Sequence, residues 1–198
     1  MRRDKQEDLL EGALRVFARD GYTRSTIQAL AKEAQVSTRT IYNQYGNKNA
    51  LFRAVIVHSA TQVAEREIAS AAAAFGTDAT TRTRLVEFGK AWAAEDPATR
   101  THFAMVKQIN AEIEHIDPDT LQAWREAGPL RVRRTIADHL GALHKRGELF
   151  APNPELAAVH LVQLTAGTVR EIGATFPISE IINQGVDTFL AAYASRRD

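Results

Sequence analysis

The sequence contains no cysteine, and this absence excludes several kinds of chemistry. Among its 198 residues there are also only two methionines and two tryptophans, and 7% of the chain is aromatic. A chain without cysteine forms no disulfide, no thiolate zinc site and no cysteine nucleophile. We expect no metal and no cofactor, and the composition fits a reducing compartment.

Long hydrophobic runs and a strong net charge are also lacking. No stretch approaches the roughly 18 apolar residues that a membrane span needs. The first ten residues, MRRDKQEDLL, carry charges where a signal peptide would be apolar. With 44% hydrophobic residues and a net charge of +1, the chain has a globular composition. We expect a soluble cytoplasmic protein with no membrane partner, built as one domain or two small ones.

The charge is distributed unevenly along the chain. Residues 1–53 hold ten Lys/Arg against six Asp/Glu, and residues 54–198 hold fifteen against eighteen. A basic end on a slightly acidic chain favours a polyanionic partner for that end, although the excess is modest.

Hydrophobic residues recur at helical spacing throughout, and no sustained period-two pattern is found. The sequence predicts an all-α fold of about nine helices. The first helix covers about 4–19 and ends before Gly21, and two short helices then begin after Thr26 and at Ser37. The later helices are expected at about 48–75, 79–94, 97–113, 118–146 with an interruption or kink at Pro129, 155–176 and 178–196.

The two short helices predict a helix-turn-helix, in which the second helix reads DNA. Val36 and Ile41 would face the core of this domain. Arg and Asn side chains match the edges of guanine and adenine, and helix N-termini attract phosphates, as at Thr26 and Lys48. Arg2 and Arg3 would form a basic arm. The outward face of the second helix would carry Ser37, Thr38, Arg39, Thr40 and Asn43.

Residues 21–52, GYTRSTIQALAKEAQVSTRTIYNQYGNKNALF, resemble the DNA-binding domain of the tetracycline-repressor (TetR) family. Gln35 stands where the family usually has a turn glycine, so we expect a positive φ there at small cost. Tyr45 stands in place of the commoner phenylalanine. The matching positions are Gly21-Tyr22, Ser25-Thr26-Ile27, Leu30-Ala31, Ala34, Val36-Ser37, Ile41-Tyr42, Lys48 and Leu51.

The resemblance implies a homodimeric, all-helical transcriptional regulator, usually a repressor, that binds a double-stranded DNA operator. Residues 1–47 would bind DNA, and residues 48–198 would bind a small molecule and form the dimer. Thr26, Tyr42 and Lys48 match phosphate-contacting positions of the family. The alternative for the hydroxyls is a capping role alone, and the alternative for Tyr42 is a place in the core.

The stretch from about Arg84 to Gly173 resembles the AefR-type ligand domain, with EAGPLRVRRTIADHLGALHKRGEL at its centre. Aromatic walls with a few polar groups suit a small ligand, although the same residues could form a packed core. Asn110 falls within an apolar stripe, where an unpaired amide would cost about 1–3 kcal/mol. The candidate ligand-binding residues are Phe88, Trp92, His102, Phe103, Val106, Asn110 and Trp124.

The last two helices carry apolar stripes suited to an intersubunit four-helix bundle, which is how members of the family dimerise. The alternative is packing within one chain. The candidate dimer contacts are Leu161, Leu164, Thr168, Ile182, Val186 and Phe189.

The sequence disfavours two other classes of protein. An enzyme is disfavoured, because the six histidines show no metal-binding spacing and neither a phosphate loop nor a nucleophile elbow is present. A DNA binder without a ligand is disfavoured because the C-terminal part is larger than dimerisation requires.

Overall fold

The structure is a computed structural model that describes residues 3–94 and 96–194. Helices account for most of these residues. Within the described ranges no β-strand forms, and an isolated bridge joins Leu149 to Ala194. The predicted all-α fold is confirmed.

Local sequence signals account for the bounds of the first four helices, except that α1 continues past the break at Gly21 to Arg24. They are α1 (Arg3–Arg24), α2 (Ile27–Glu33), α3 (Thr38–Tyr45) and α4 (Lys48–Phe75). Gly21 breaks α1 with φ 78° and ψ 178°, a conformation that glycine adopts without steric cost. Gly46, also at φ 78°, separates α3 from α4.

The middle helices are α5 (Thr81–Ala93), α6 (Arg100–Ala111), α7 (Pro118–Ala127) and α8 (Pro129–Lys145), with a 3-10 turn at Ile113–His115. Thr80 and Asp117 cap α5 and α7 through their side chains. Pro118 stands in the first turn of α7, where its missing N–H costs nothing. Helix α6 begins later than the predicted position 97, because residues 97–99 form a turn.

The predicted helix over 155–176 is not regular. It comprises α9 (Pro154–Val162), a π-helical turn (Gln163–Gly167) and α10 (Thr168–Ile172). Two hydroxyls support the turn: Thr165 Oγ1 donates to the carbonyl of Leu161 at 2.6 Å, and Thr168 Oγ1 to that of Gln163 at 2.9 Å. The last helix, α11, spans Ile178–Tyr193, and the predicted end at residue 196 lies outside the described residues.

The chain divides into two compact units. Unit 1 comprises residues 1–64 and 95–129, and unit 2 comprises residues 65–94 and 130–198. Helix α4 therefore supplies residues to both units. These units do not test the expected division of DNA binding and ligand binding at residue 47/48, which stays a prediction.

Unit 1 is built on α1, which packs along α6. Gly12 lets α1 approach the end of α2 closely, because a Cβ there would lie 2.6 Å from Cα of Ala34. Phe17 and Phe52 meet edge to face at 4.9 Å between ring centroids. The largest fully buried side chains of this unit are Leu9, Phe17, Leu30, Ile41, Leu51, Phe52, Ile56, Met105 and Ile109.

In unit 2, α11 packs against α5 and the π-helical turn. Glycine makes this approach possible, because a Cβ on Gly185 would overlap the carbonyl oxygen of Leu164. Gly89 of α5 has the same effect, since a Cβ there would lie 3.0 Å from Ile182 Cγ2.

The expected dimer stripe requires a correction. Leu161, Ile182, Val186 and Phe189 are fully buried within the single chain, so the alternative of intramolecular packing describes them. Their helical spacing correctly indicated a buried face but did not identify what covers it. Leu164 and Thr168 are half-buried, and a dimer contact by them stays a prediction.

Across residues 3–94 and 96–194, the helices lack the combination of length and hydropathy that a membrane span requires.

Candidate nucleic-acid interface

Helix α3 presents a polar face to solvent. Arg39 and Asn43 are exposed, and neither side chain has a hydrogen-bond or ion-pair partner among the described residues. Tyr42 is 51% exposed, which excludes the alternative that it is a core residue. Thr38 is half-buried at the first position of the helix. This face therefore offers an unpaired guanidinium, an amide and a phenol.

The opposite face of α3 fixes the helix to unit 1. Ile41 is fully buried and Val36 packs against the same core, as predicted. The turn before α3 contains Gln35 at φ 53°, which confirms the positive φ expected there. Its backbone is still satisfied, because Gln35 N donates to Lys32 O at 3.2 Å and Val36 N donates to Ala31 O at 2.9 Å.

Hydroxyl side chains cap both short helices. Thr26 Oγ1 accepts from Ala29 N at 3.2 Å, and Ser37 Oγ accepts from Thr40 N at 3.0 Å. Ser37 Oγ also lies 2.9 Å from Thr40 Oγ1. Thr26 is exposed and its hydroxyl proton has no acceptor among the described residues, so capping leaves it able to donate to a phosphate.

Lys48 has a different environment from the one the sequence predicted. Its ammonium donates to the carbonyl oxygens of Tyr22 at 2.8 Å, Ser25 at 3.0 Å and Thr23 at 3.4 Å. It also lies 4.6 Å from the centroid of the Tyr22 ring. The ammonium thus holds residues 22–26, called here the α1–α2 turn, which run from the break at Gly21 through the last residues of α1 to the cap of α2. The expected phosphate contact of Lys48 stays a prediction.

Glu112, at the end of α6, contacts the same turn and was not found from the sequence. Its Oε2 accepts from Tyr22 N at 2.6 Å and from Thr23 N at 3.1 Å. The residues are 90 positions apart in the chain, so no local pattern could have identified the contact. Arg2 and the side chain of Arg3, the predicted basic arm, lie outside the described residues.

The candidate ligand-binding residues are divided between the two units. Phe88 and Trp92 lie in unit 2, where their rings are 4.9 Å apart. His102, Phe103, Val106, Asn110 and Trp124 belong to unit 1. Phe103 is exposed and Val106 is half-buried against the core.

Two of the unit 1 candidates are buried polar side chains. His102 Nδ1 is 2.9 Å from Ser59 Oγ, and burial lowers the pKa of His102 to about 4, so the ring is neutral at pH 7. Trp124 Nε1 is buried without a hydrogen-bond partner among the described residues, as is Thr120 Oγ1 one turn earlier. These two groups retain unused hydrogen-bonding capacity.

The predicted burial of Asn110 is wrong. Its side chain is exposed, and the buried face of α6 consists of His102, Met105 and Ile109 instead. An exposed amide is hydrated, so the desolvation argument for a ligand at Asn110 no longer holds.

Glu67 in α4 is a further titratable group that the sequence did not single out. Burial raises its pKa to about 7, and the Arg170 cation of α10 partly opposes this effect. No cluster of three or more His, Asp or Glu suited to a metal ion occurs among the described residues.

Two family models match the chain. One, described as "Bacterial regulatory proteins, tetR family", matches residues 9–55. The other, described as "AefR-like transcriptional repressor, C-terminal domain", matches residues 83–195 and so covers more than half of the chain. Both resemblances predicted from the sequence are confirmed. The matched proteins are transcriptional regulators, in agreement with the prediction that the chain is not an enzyme.

Two curated relatives share part of the sequence. The HTH-type transcriptional repressor AcnR of Corynebacterium efficiens and that of Corynebacterium glutamicum are each 34% identical over 62 residues. The match covers 31% of this chain and 33% of each relative, so the chain spans about a third of the length of the curated relatives it matches.

Solved structures match the fold over nearly the whole chain. A protein from Mesorhizobium loti described as a TetR-family transcriptional regulator has a TM-score of 0.79 at 22% identity and covers 96% of both chains. The flavonoid-responsive regulator FrrA has a TM-score of 0.74 at 24% identity, covering 98% of this chain and 99% of its own. A transcriptional regulator from Saccharomonospora viridis, solved in complex with choline, has a TM-score of 0.65 at 20% identity over 95% and 96% of the chains.

Proposed function

This chain belongs to the tetR family of bacterial regulatory proteins, and from that membership we propose that it is a ligand-responsive, DNA-binding transcriptional regulator. More specifically, the protein acts as a cytoplasmic homodimeric repressor that a small molecule releases from a pseudo-palindromic operator. The two curated relatives are named repressors, which favours repression over activation.

The observation that carries the proposal is the exposed face of α3. Arg39 and Asn43 have no partner within the described chain, while Ile41 on the other face anchors the helix in the core. An unpaired guanidinium and amide on a rigid helix suit the bidentate contacts that read guanine and adenine in the major groove. Exposed Tyr42 and Thr26 would add phosphate contacts that fix the register of the helix.

In this mechanism two copies place their α3 helices in successive major grooves, about one helical turn of DNA apart. The effector binds better to a conformation in which α4 holds the two recognition helices at the wrong spacing. A ligand with equal affinity for both conformations would shift nothing.

The effector would be a small organic molecule. Two structurally similar regulators support a small organic effector: one was solved with choline and the other is described as flavonoid-responsive. Neither identifies the compound that this chain binds. Trp124 Nε1 and Thr120 Oγ1 have unused hydrogen-bonding capacity, so they are the polar contacts to test first in unit 1.

The dimer would use outer surfaces of unit 2, because the predicted stripe is already covered within the chain. Large apolar side chains are exposed there. They are Phe150, Leu156, Ile172, Phe176 and Ile178.

The test is fluorescence anisotropy of the purified protein on its own upstream intergenic DNA, with excess unrelated duplex and a salt series. Arg39→Ala should weaken specific binding by about 1–3 kcal/mol per subunit, as expected for the loss of a base contact. Binding to unrelated duplex should change far less.

Arg125→Ala is the matched control, because Arg125 is also exposed but lies on α7. If Arg39→Ala and Arg125→Ala weaken binding to the upstream DNA equally, Arg39 makes no base-specific contact. No binding of the wild-type protein to upstream DNA at any salt concentration would contradict the proposed function at that DNA, and the screen would then turn to fragments from the rest of the genome.

A further inference from the structure

The turn between α1 and α2 is held from two directions by ionic side chains. Its carbonyl oxygens, those of Tyr22, Thr23 and Ser25, accept hydrogen bonds from the Lys48 ammonium. Its backbone N–H groups, those of Tyr22 and Thr23, donate to the Glu112 carboxylate. In addition to its own Ser25 Oγ to Tyr22 O bond at 2.8 Å, the turn is thus held by two side chains that are distant in sequence.

Glu112 links this turn to a helix outside the helix-turn-helix. It is the C-cap residue of α6, and both hydrogen bonds reach the same oxygen, Oε2, at 2.6 Å and 3.1 Å. Hydrogen bonds to a carboxylate are about twice as strong as those between neutral groups. The position of the α6 end is therefore transmitted to the backbone of the turn.

Gly21 makes this contact possible. A Cβ at that position would lie 2.7 Å from Glu112 Oε1 and 3.0 Å from Cδ, so the carboxylate occupies the space that a side chain would fill. The φ of 78° at Gly21 aims the next two N–H groups at the carboxylate. The contact of Glu112 with the turn therefore depends on the absence of a side chain at Gly21.

The α1–α2 turn also positions the recognition helix, α3. It leads directly into the Thr26 cap of α2, and α2 packs on α3 through the Gln35 turn. A displacement of Tyr22 and Thr23 would therefore tilt α2 and α3 together against the rest of unit 1.

We infer that Glu112 is a positioning residue for operator recognition: by binding the Tyr22 and Thr23 amides it sets the orientation of α2 and α3 relative to α6. Glu112 itself touches no DNA. The inference rests on the proposed function, because it assumes that α3 reads an operator.

The experiment compares substitutions at Glu112 with a matched control at Glu114. Glu112→Leu removes both acceptors, whereas Glu112→Gln retains one oxygen that both N–H groups can reach. Glu114→Leu removes the same charge from an exposed side chain two residues away that has no partner among the described residues. Each variant is titrated onto operator DNA and onto unrelated duplex, and amide hydrogen exchange is measured at Tyr22 and Thr23.

We expect Glu112→Leu to lower operator affinity by about tenfold or more, equivalent to about 1.4 kcal/mol, with little change on unrelated duplex. Exchange at Tyr22 and Thr23 should accelerate. Glu112→Gln should restore operator affinity to within about threefold of the wild type, because one oxygen can accept both bonds. Glu114→Leu should behave as the wild type.

Equal operator affinity for the Glu112→Leu and Glu114→Leu variants would overturn the inference while leaving the proposed function standing. A parallel loss on operator and unrelated DNA would also overturn it, because it would show a general structural role. If the leucine variant does not fold, Glu112→Asp decides, since it keeps the charge but falls one methylene short of the turn. Absence of wild-type binding to the upstream DNA and to every other genomic fragment would reject the proposed function and this inference with it.

Discussion

Glu67 provides a quantitative test of the packing in unit 2. The carboxyl is half-buried on α4, and the loss of hydration raises its pKa from 4.5 to about 7, an effect that the nearby Arg170 cation only partly offsets. In the unfolded chain the carboxyl has its ordinary pKa. Between these two pKa values the folded state binds the proton that the unfolded state has released.

The sign and size of the effect follow from this difference. Because the folded pKa is the higher one, the favourable contribution to stability is fully present below pH 4.5 and is lost as the pH rises through 7. One pKa unit corresponds to about 1.4 kcal/mol. When the pH rises from 5 to 8.5, a range that covers most of the interval over which Glu67 ionises in the folded state, the wild type should lose about 2.5 kcal/mol of unfolding free energy through this one group.

The assay is urea unfolding at both pH values for the wild type and Glu67→Gln. Glutamine does not ionise, so the variant should match the wild type at pH 5 and exceed its stability by about 2.5 kcal/mol at pH 8.5. Glu65→Gln is the control, because Glu65 is exposed on the same helix. A difference between Glu67→Gln and the wild type that does not vary with pH, or that Glu65→Gln reproduces, would refute the reasoning.

Two further predictions concern His102 and Gly185. Because burial lowers the pKa of His102 to about 4 from 6.5, stability should fall as the pH drops from 6.5 towards 4, by about 2 kcal/mol between pH 7.5 and pH 5. Urea unfolding at these two pH values should show no such loss for His102→Gln. The control His115→Gln should keep the loss, because His115 is exposed. Equal pH dependence of stability in both variants would show that His102 is not the group responsible. Gly185→Ala should lower stability by about 1–3 kcal/mol, because the added methyl group would overlap the carbonyl of Leu164. Thermal unfolding should show no such loss for the control Gly141→Ala, because a Cβ there would meet Pro154 Cγ at an ordinary 3.5 Å. A Gly185→Ala protein as stable as the wild type would show that α11 can move away from Leu164 without cost.

The helix boundaries near the N-terminus could be predicted because their causes are local. A hydroxyl at Thr26 or Ser37 caps the helix that follows it, and a glycine at 21 or 46 permits the positive φ that ends a helix. Such signals depend on neighbouring residues alone. The outward face of α3 followed in the same way, since burial of Ile41 leaves Arg39 and Asn43 on the other side.

The features that were not predicted depend on contacts distant in sequence. In α6 the apolar residues allow two stripes, and only packing on α1 selects Met105 and Ile109 over a stripe that includes Asn110. The stripe of α11 shows burial but not whether the covering surface belongs to the same chain. The bonds of Glu112 and Lys48 to the α1–α2 turn join residues 23 to 90 positions apart.

The π-helical turn at residues 163–167 has a consequence for comparing relatives. A π turn contains one residue more than the α turn it replaces, so it is equivalent to a one-residue insertion in a longer helix. Deleting one residue there would restore regular α geometry and leave the residues after it close to their present orientation, because the π turn absorbs the extra residue locally. The Arg170 cation would then still lie near Glu67. Relatives without the turn should therefore align here with a single-residue gap, and a cation near the Glu67 position should be retained across that gap.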